Sequence, residues 1–563
     1  MTMLLLLLTL WPGLRGPVSE VASQRFGLRG LVSEISSQRS GLTSTADQLA
    51  TLMPGLGRLH HPIATTSPDA QRFFDQGLTL IYAFNHEEAV RSFRRAAEFD
   101  PAAPMPHWGI ALALGPNIND YDVDAAREKA AYDEAQRART LAANAPANER
   151  AYVDALVERY SIEPNADLKA TAVRYKDAMR ELTRRYPDDL DAATLYAEAL
   201  MDLHPWMLWS SDGTPTEGTE EIVAALESVL RRDAMHIGAN HYYIHAVEAS
   251  KTPGRALPSA NRLETLVPEA GHLVHMPAHI YMRTGNYEGA VASNAKAAEV
   301  DRGYIKARGA DGLYPMMYYN HNLDFLASAA MMSGQFKEAK SAAGMVVANA
   351  TPMIPAMAAL EPFGAKTLYV LLRFARWDDV MALKAPDPKH LILTALWHFG
   401  RGVAQAARGN AGDAAKARDA YATARKAIAP DSAWGYNQSK DMLAVTDAVL
   451  DAWMARATRR DDAAIDAWRR AIAAEDALNY NEPPDWFYPT RESLGAALLR
   501  ANRTDEAAQV FRDDLERNPG NGRSLFGLWQ AQRAKKDPAA AATEAQFRAA
   551  WKHADGPLRL ADF

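Results

Sequence analysis

The sequence predicts an all-α protein built from stacked helix pairs, and two observations support this prediction. The first is a recurring pattern of small residues, an aromatic residue and a proline, spaced as in a helix–turn–helix unit of roughly 34 residues. The second is that the chain between these units is rich in alanine and helical in period, without continuous strand patterning. A chain of 563 residues therefore reads as a series of small repeats rather than as a few globular domains.

The clearest helix pair lies in residues 70–101. Gly77 and Ala89 are small enough to let two helices approach, and Phe93 is placed to fill the gap between them. Pro101 is expected to end the second helix because it has no N–H to donate. The same pattern recurs around four further positions: Gly285, Gly334, Asp461 and Gly495.

These units resemble the tetratricopeptide repeat (TPR) over their whole length. One such repeat cannot bury its apolar faces alone, so repeats stack on one another. The resemblance implies a right-handed superhelix with a concave groove lined by the first helix of each pair. Function then depends on which side chains point into that groove.

Composition excludes several kinds of chemistry. The chain has 15 His and no Cys, so it cannot form a disulfide scaffold, a thiolate zinc site or an iron–sulfur cluster. It carries 62 Lys+Arg against 69 Asp+Glu and has no long basic run, which argues against a nucleic-acid partner. Metal or acid–base chemistry must therefore come from His, Asp and Glu.

The first 46 residues are expected to lie outside the fold. Residues 3–11 form an apolar run that is too short to span a bilayer, and residues 13–26 are repeated almost unchanged as residues 27–40. One interpretation is an atypical export signal, giving a periplasmic or secreted protein, and the other is a mis-assigned start of a cytoplasmic protein. No transmembrane segment is expected. The remaining predicted parts are a linker (47–67), N-terminal helix pairs (68–235), central histidine-bearing repeats (236–350) and C-terminal repeats (351–563).

Five histidines fall within 39 positions and follow the repeat period. His275 follows His241 by 34 positions, and His279 follows His245 by the same interval. Residues one period apart occupy equivalent positions on neighbouring first helices, whose axes lie about 8–10 Å apart. Within one helix, residues four apart share a face. These four imidazoles are thus expected to form one patch, to which His272 adds a fifth.

Three further polar residues fall on the same predicted face. Gly334 fixes the register of the next repeat and puts His321 at its second position and Asp324 at its fifth. Glu248 occupies the twelfth position of its own repeat. In the TPR pattern these positions line the groove, so six histidines and two carboxylates are expected to converge there.

A histidine cluster of this kind predicts a transition-metal site. Two imidazoles four residues apart on a helix can reach one ion at about 2.0–2.1 Å. Six exceed the needs of one tetrahedral ion, which implies either two ions or one ion with further histidines around it. Without thiolates, Cu, Fe and Zn are equally compatible. The predicted ligands are His241, His245, His272, His275, His279, His321 and Asp324.

The sequence around His241 is not the H-E-x-x-H motif of zinc proteases, because Tyr242 stands where that motif has its glutamate. Glu248 is the candidate general base, acting through a metal-bound water. Tyr242, Met282 and Trp486 are candidate groove residues that would contact a substrate. Trp486 belongs to a Pro-rich insertion that could cover the groove or cap a helix.

The strings HYYIHAVEAS and GHLVHMPAHIY, with PDWFYPTRESLGAALL near the end, resemble a set of bacterial TPR proteins over about residues 58–530. This resemblance supports the architecture and implies no particular reaction. The expected function is metal-dependent oxidation or hydrolysis of a small molecule or peptide in the groove. Three alternatives stay open: a scaffold that binds a partner protein or peptide, a metal-free groove for an anionic or peptide ligand, and a purely structural polar core.

Overall fold

The computed structural model describes residues 50–163, 166–310 and 312–563, so the predicted leader (1–46) and the start of the linker lie outside the described residues. In the described part the chain is helical throughout, which confirms the predicted all-α class. Its sheet content is one short antiparallel hairpin, β1 (Ala433–Trp434) and β2 (Asn437–Gln438), together with two isolated bridges. No described helix is long and apolar enough to cross a bilayer.

The helices follow one another in pairs along the chain. Those before the histidine-bearing region are α1 (Pro68–Tyr82), α2 (His86–Phe99), α3 (Pro104–Leu114), α4 (Ala125–Leu141), α5 (Ala147–Val157), α6 (Leu168–Arg185), α7 (Leu190–Met201) and α8 (Thr219–Arg232). Those of the histidine-bearing region are α9 (Ile237–Val247), α10 (Leu257–Leu266), α11 (Gly271–His275), α12 (Pro277–Thr284), α13 (Tyr287–Arg308), α14 (Asn320–Met332) and α15 (Phe336–Ala350).

The C-terminal part continues the same arrangement. Its helices are α16 (Glu361–Gly364), α17 (Lys366–Arg373), α18 (Trp377–Ala382), α19 (Leu391–Ala407), α20 (Ala411–Arg425), α21 (Ser439–Ala457), α22 (Asp461–Asp476), α23 (Thr490–Arg500), α24 (Thr504–Arg517), α25 (Gly522–Ala534) and α26 (Ala540–Ala550). Consecutive helices pack against each other, from α1 on α2 to α25 on α26, as a helix-pair solenoid of the TPR type requires.

The first helix pair packs as its sequence predicts. Phe93 of α2 is fully buried, and a Cβ atom added to Gly77 of α1 would lie 2.5 Å from its ring. Gly109 of α3 is equally close to the same ring, at 2.6 Å. Only glycine leaves room for the ring at these two positions, so Phe93 holds three consecutive helices together. Helix α2 ends at Phe99, two residues before Pro101.

The histidine-bearing first helix is divided in two. Pro277 has no N–H, so α11 ends at His275 and α12 begins at Pro277. Met276, between them, keeps helical dihedral angles of −52° and −34°. The chain therefore continues in the same direction, and His279 remains on the side of the helix that carries His275. A π-helical turn, Pro315–Tyr319, leads directly into α14, which carries His321.

Candidate metal centre

Six histidines form one continuous cluster. Helix α9 supplies His241 and His245, and α14 supplies His321. Neighbouring rings of the cluster lie close together. The ring centroids are 4.9 Å apart for His241 and His245, and 4.7 Å apart for His275 and His321. Helix α11 carries His272 and His275, and α12 carries His279. The structure thus brings together all six histidines on which the sequence prediction rests.

The cluster divides into two groups of three. In each group, one nitrogen from every ring lies within 4.8 Å of the others. The closest Nε2–Nε2 distances are 3.1 Å between His241 and His272, and 2.8 Å between His275 and His279. Two nitrogens bound to one tetrahedral ion at about 2.0–2.1 Å would be about 3.3 Å apart, close to these spacings. The groups are His241, His245 and His272, and His275, His279 and His321.

Hydrogen bonds at Nδ1 fix the tautomer of several rings. The Nδ1–H of His241 donates to the backbone carbonyl of Tyr82 at 2.7 Å. The Nδ1–H of His275 donates to Oδ1 of Asn294 at 2.7 Å, and that amide is oriented because its Nδ2 donates to the carbonyl of Ala290. In a neutral imidazole with its proton on Nδ1, Nε2 carries a lone pair. Both rings therefore present a metal-binding nitrogen to the centre of the cluster.

Glu248 links the two groups of histidines. Its Oε1 accepts from Nδ1 of His245 at 2.8 Å, and its Oε2 accepts from Nδ1 of His279 at 2.5 Å. Burial by itself would raise the pKa of Glu248, but His279 and His245 lower it well below the usual range of a glutamate. With both oxygens engaged, this carboxylate orients two imidazoles, as carboxylates beside metal ligands commonly do. A general base needs an oxygen that can accept a proton from a bound water, whereas both oxygens of Glu248 already accept hydrogen bonds from histidines.

The rings of His275 and His279 face each other in an unusual way. Each donates its Nδ1 proton to an acceptor, so in the neutral forms of both rings the Nε2 atoms carry lone pairs, and these atoms lie 2.8 Å apart. Two lone pairs at this distance repel unless a proton or a cation lies between them. Burial and the neighbouring His279 hold the pKa of His275 well below its usual value, which disfavours a proton on His275.

Two other buried nitrogens of the cluster also lack partners. Nε2 of His245 and Nδ1 of His272 have no hydrogen-bond partner among the described residues. Buried polar atoms are nearly always satisfied in folded proteins. Burial also lowers the pKa of His321 to about 3, so this ring too is neutral near pH 7. The cluster thus offers buried nitrogen ligands, which suit transition metals.

The repeat register predicts that Asp324 is a metal ligand beside the histidines, but its side chain pairs with a lysine. It is buried near His321, but its Oδ2 forms an ion pair of 2.7 Å with Nζ of Lys366. The groups of potential ligands in the described residues do not include it. The repeat register gives the helix face of Asp324, but it does not reveal that Lys366 of α17 reaches the same place.

Three residues were predicted to contact a substrate in the groove. None of them lines the cavity that lies beside the histidine cluster. Tyr242 is buried against Tyr82, with ring centroids 5.9 Å apart. Met282 is half-buried against the N-terminal hydrophobic core. Trp486 is buried in the C-terminal core, 6.2 Å from the ring of Phe399. All three side chains therefore pack between helices in this structure.

A cavity of about 200 Å³ opens beside the histidines. His245, His272 and His321 form part of its wall. Its other walls come mainly from segments between helix pairs and carry aromatic and acidic side chains: Trp206, Phe363, Tyr369, Tyr436, Glu482 and Asp485.

Sequence reasoning missed most of these wall residues. The Pro-rich insertion drew attention to Glu482 and Asp485, and the structure puts both in the cavity wall. Trp206 and Tyr436 stack with ring centroids 5.5 Å apart although 230 positions separate them. The two residues lie in breaks between helices, where repeat register gives no position, so no sequence signal identified them.

The fold and the site together define a solenoid of TPR-type helix pairs with a buried histidine cluster. Protein-family models and curated protein sequences give no match to the chain. Among solved structures, the chain is similar to yeast Tom70 (12% identity, 86% of this chain and 92% of that chain, TM-score 0.28). It is also similar to a human IFIT1 dimer with m7Gppp-AAAA (13%, 87% and 91%, 0.33) and to the TPR domain of P58(IPK) (12%, 83% and 98%, 0.21). At these TM-scores, the description of the fold rests on the helix pairs of the chain itself.

Proposed function

We propose that this protein binds two transition-metal ions, one in each group of three histidines, and uses them on a small molecule held in the adjoining cavity. The observation that carries the proposal is the pair His275 and His279. In the neutral forms of both rings, their Nε2 lone pairs face each other at 2.8 Å in a fully buried site. A metal cation between them turns this repulsion into two coordinate bonds.

Two ions account for the cluster better than one. The two groups of ligand nitrogens are complete without sharing a residue. Each supplies three imidazoles, which leaves an open coordination position on a four-coordinate ion. Glu248 bonds to one member of each group and thereby fixes their relative orientation.

An open position beside a cavity favours a reactive metal over a purely structural one, because structural sites are usually closed by four protein ligands. When bound, such ions supply Lewis acidity or redox chemistry, which fits either hydrolysis or oxidation. The chain's own residues orient the ligands through Glu248, Asn294 and the carbonyl of Tyr82. His241, His275 and His279 are fully buried, so bulk water does not reach them.

The scaffold alternative requires groove side chains that a partner can touch. Five of the six histidines are at most 6% exposed, so a peptide lying on the surface would not reach them. Their burial therefore favours the metal centre over a peptide-binding groove.

Elemental analysis tests the proposal. Protein purified without a polyhistidine tag should contain about two equivalents of a transition metal after reconstitution. His279→Ala should lose about one of the two equivalents, whereas His107→Gln, which changes a buried histidine outside the cluster, should retain both. Less than about a tenth of an equivalent in the reconstituted wild-type protein would refute the metal centre.

A further inference from the structure

The wall of the cavity beside the histidines contains more acidic than basic side chains. Its charged wall residues, apart from the histidines, are three carboxylates and one lysine: Asp324, Glu482, Asp485 and Lys366. The lysine is already paired, because Nζ of Lys366 lies 2.7 Å from Oδ2 of Asp324. Two carboxylates therefore remain without a cationic partner in the cavity wall.

These two carboxylates differ in how their oxygens are used. Asp485 accepts from the amide nitrogen of Asn437 at 2.7 Å and from that of Asn481 at 2.9 Å, so the chain itself satisfies both oxygens. Glu482 accepts one hydrogen bond, of 2.5 Å from the hydroxyl of Tyr480 to Oε1. Its Oε2 has no partner among the described residues, although the side chain is only 5% exposed. An unpaired buried oxygen of this kind is costly and is suited to a ligand that donates to it.

Aromatic rings surround the same space. Trp206 stacks on Tyr436 at 5.5 Å and meets the ring of His245 edge-on at 5.6 Å. Phe363 and Tyr369 contribute further ring surface to the wall. The faces of aromatic rings attract cations and also pack well against apolar groups.

We propose that the cavity binds an organic cation, a primary amine on an aromatic or apolar body, with its ammonium group on Oε2 of Glu482 and its body against Trp206 and Tyr436. This inference rests on the proposed function, because it names the substrate class of the metal centre. Both oxygens of Glu248 accept from histidines of the cluster, whereas Oε2 of Glu482 has no partner among the described residues and is available for the ligand.

Three probes that share a phenylethyl group separate charge from shape: 2-phenylethylamine, 2-phenylethanol and 3-phenylpropanoate. Calorimetric titration of the full-length protein at neutral pH, in metal-loaded and metal-free forms, measures their affinities. The amine should bind at least about tenfold more tightly than the alcohol, because a charge-assisted hydrogen bond is stronger than a neutral one. In the metal-free form, where no ion can bind a carboxylate, the carboxylate should bind more weakly than either. Equal affinity of amine and alcohol in both forms, or tighter binding of the carboxylate in the metal-free form, would overturn the inference.

Glu482→Gln keeps the shape of the side chain and removes its charge. It should reduce the affinity for the amine to about that for the alcohol while leaving binding of the alcohol unchanged. Glu475→Gln is the matched control, since it makes the same change in a glutamate that accepts from Thr490 and lies outside the cavity wall. A preference for the amine that survives Glu482→Gln would refute the assigned contact.

Metal content measured on the same samples keeps the two proposals apart. A protein without metal that still prefers the amine would contradict the proposed function alone. A protein with two ions and no preference among the probes would contradict the amine site alone.

Discussion

The backbone carbonyl of Tyr82 accepts a hydrogen bond of 2.7 Å from Nδ1 of His241, across 159 positions of the chain. The hydroxyl of the same tyrosine donates to Oδ1 of Asp191 at 2.6 Å. Tyr82 ends α1, so one residue of the first helix pair orients a histidine of the cluster and anchors α7. The backbone of Tyr82 orients His241, and the side chain of Tyr82 holds Asp191 of α7.

Tyr82→Phe should separate these two roles. The substitution removes the hydrogen bond to Asp191 but keeps the carbonyl that holds His241. We expect the free energy of unfolding to fall by about 1–2 kcal/mol, as for loss of one hydrogen bond to a buried carboxylate. Metal content should stay at the wild-type level, because the site keeps all its ligands. Chemical denaturation and elemental analysis check the two halves, and loss of metal without loss of stability would contradict this division.

Glu248→Gln should weaken metal binding without unfolding the protein. The amide keeps the size of the carboxylate but carries no negative charge. Its NH2 group cannot accept a hydrogen bond, so one of the two Nδ1–H groups loses its acceptor. Loss of such an orienting partner typically costs about 10- to 100-fold in metal affinity. Competition with a chelator of known affinity measures the change, and circular dichroism confirms that helicity is retained. Glu475→Gln is the control, and equal effects of the two variants would show that Glu248 has no special role.

Single alanine substitutions in the two groups should distinguish two ions from one. His245→Ala removes a ligand from one group, and His321→Ala removes one from the other. Each variant should keep about one equivalent of metal under conditions that load two into the wild type. If either substitution empties the whole cluster, the six histidines share a single ion.

Removal of metal should lower the stability of the folded protein. An ion that binds the folded state alone stabilises it by about 2.7 kcal/mol when present at 100 times its dissociation constant. We therefore expect chelation to lower the midpoint of thermal unfolding in the wild type and to have a smaller effect in His275→Ala, which keeps the ligands of only one ion. Scanning calorimetry measures both, and identical shifts in the two proteins would point to an ion bound elsewhere.

Glu492→Gln tests stability far from the cluster. This buried glutamate forms a hydrogen-bonded ion pair with Arg373 and an ion pair of 2.9 Å with Arg523. Removing one partner of a buried ion pair costs about 3–5 kcal/mol, so the free energy of unfolding should drop by that order without loss of metal. Retention of wild-type stability in urea unfolding would contradict the prediction.

The same ion pair gives a pH dependence of known sign. Burial alone would raise the pKa of Glu492, but Arg373 and Arg523 lower it overall. A carboxyl whose pKa is depressed in the folded state stabilises the protein above its unfolded pKa of about 4.3. That contribution is lost as the pH falls through the lower, folded-state pKa. Urea unfolding should therefore show a steeper loss of stability below about pH 4.3 in the wild type than in Glu492→Gln.

The sequence predicted the parts of this protein that obey a period. The spacing between Gly77 and Phe93 identified the helix pairs, and the interval between His241 and His275 identified the faces that meet. Periodicity describes equivalent positions on stacked helices, so it predicts contacts between neighbouring repeats. It cannot describe contacts from distant repeats or from irregular segments. For that reason Lys366 beside Asp324, and the stack of Trp206 on Tyr436, could not be inferred.

The cluster and the cavity are formed by different stretches of the chain, so they are completed at different stages of protein synthesis. All six histidines have left the ribosome once residue 321 has emerged, and Glu248 and Asn294 precede it. The cavity wall needs residues up to Asp485. A nascent chain that has folded as far as α14 thus holds every residue of the cluster, whereas the cavity is complete only once the later repeats have been added.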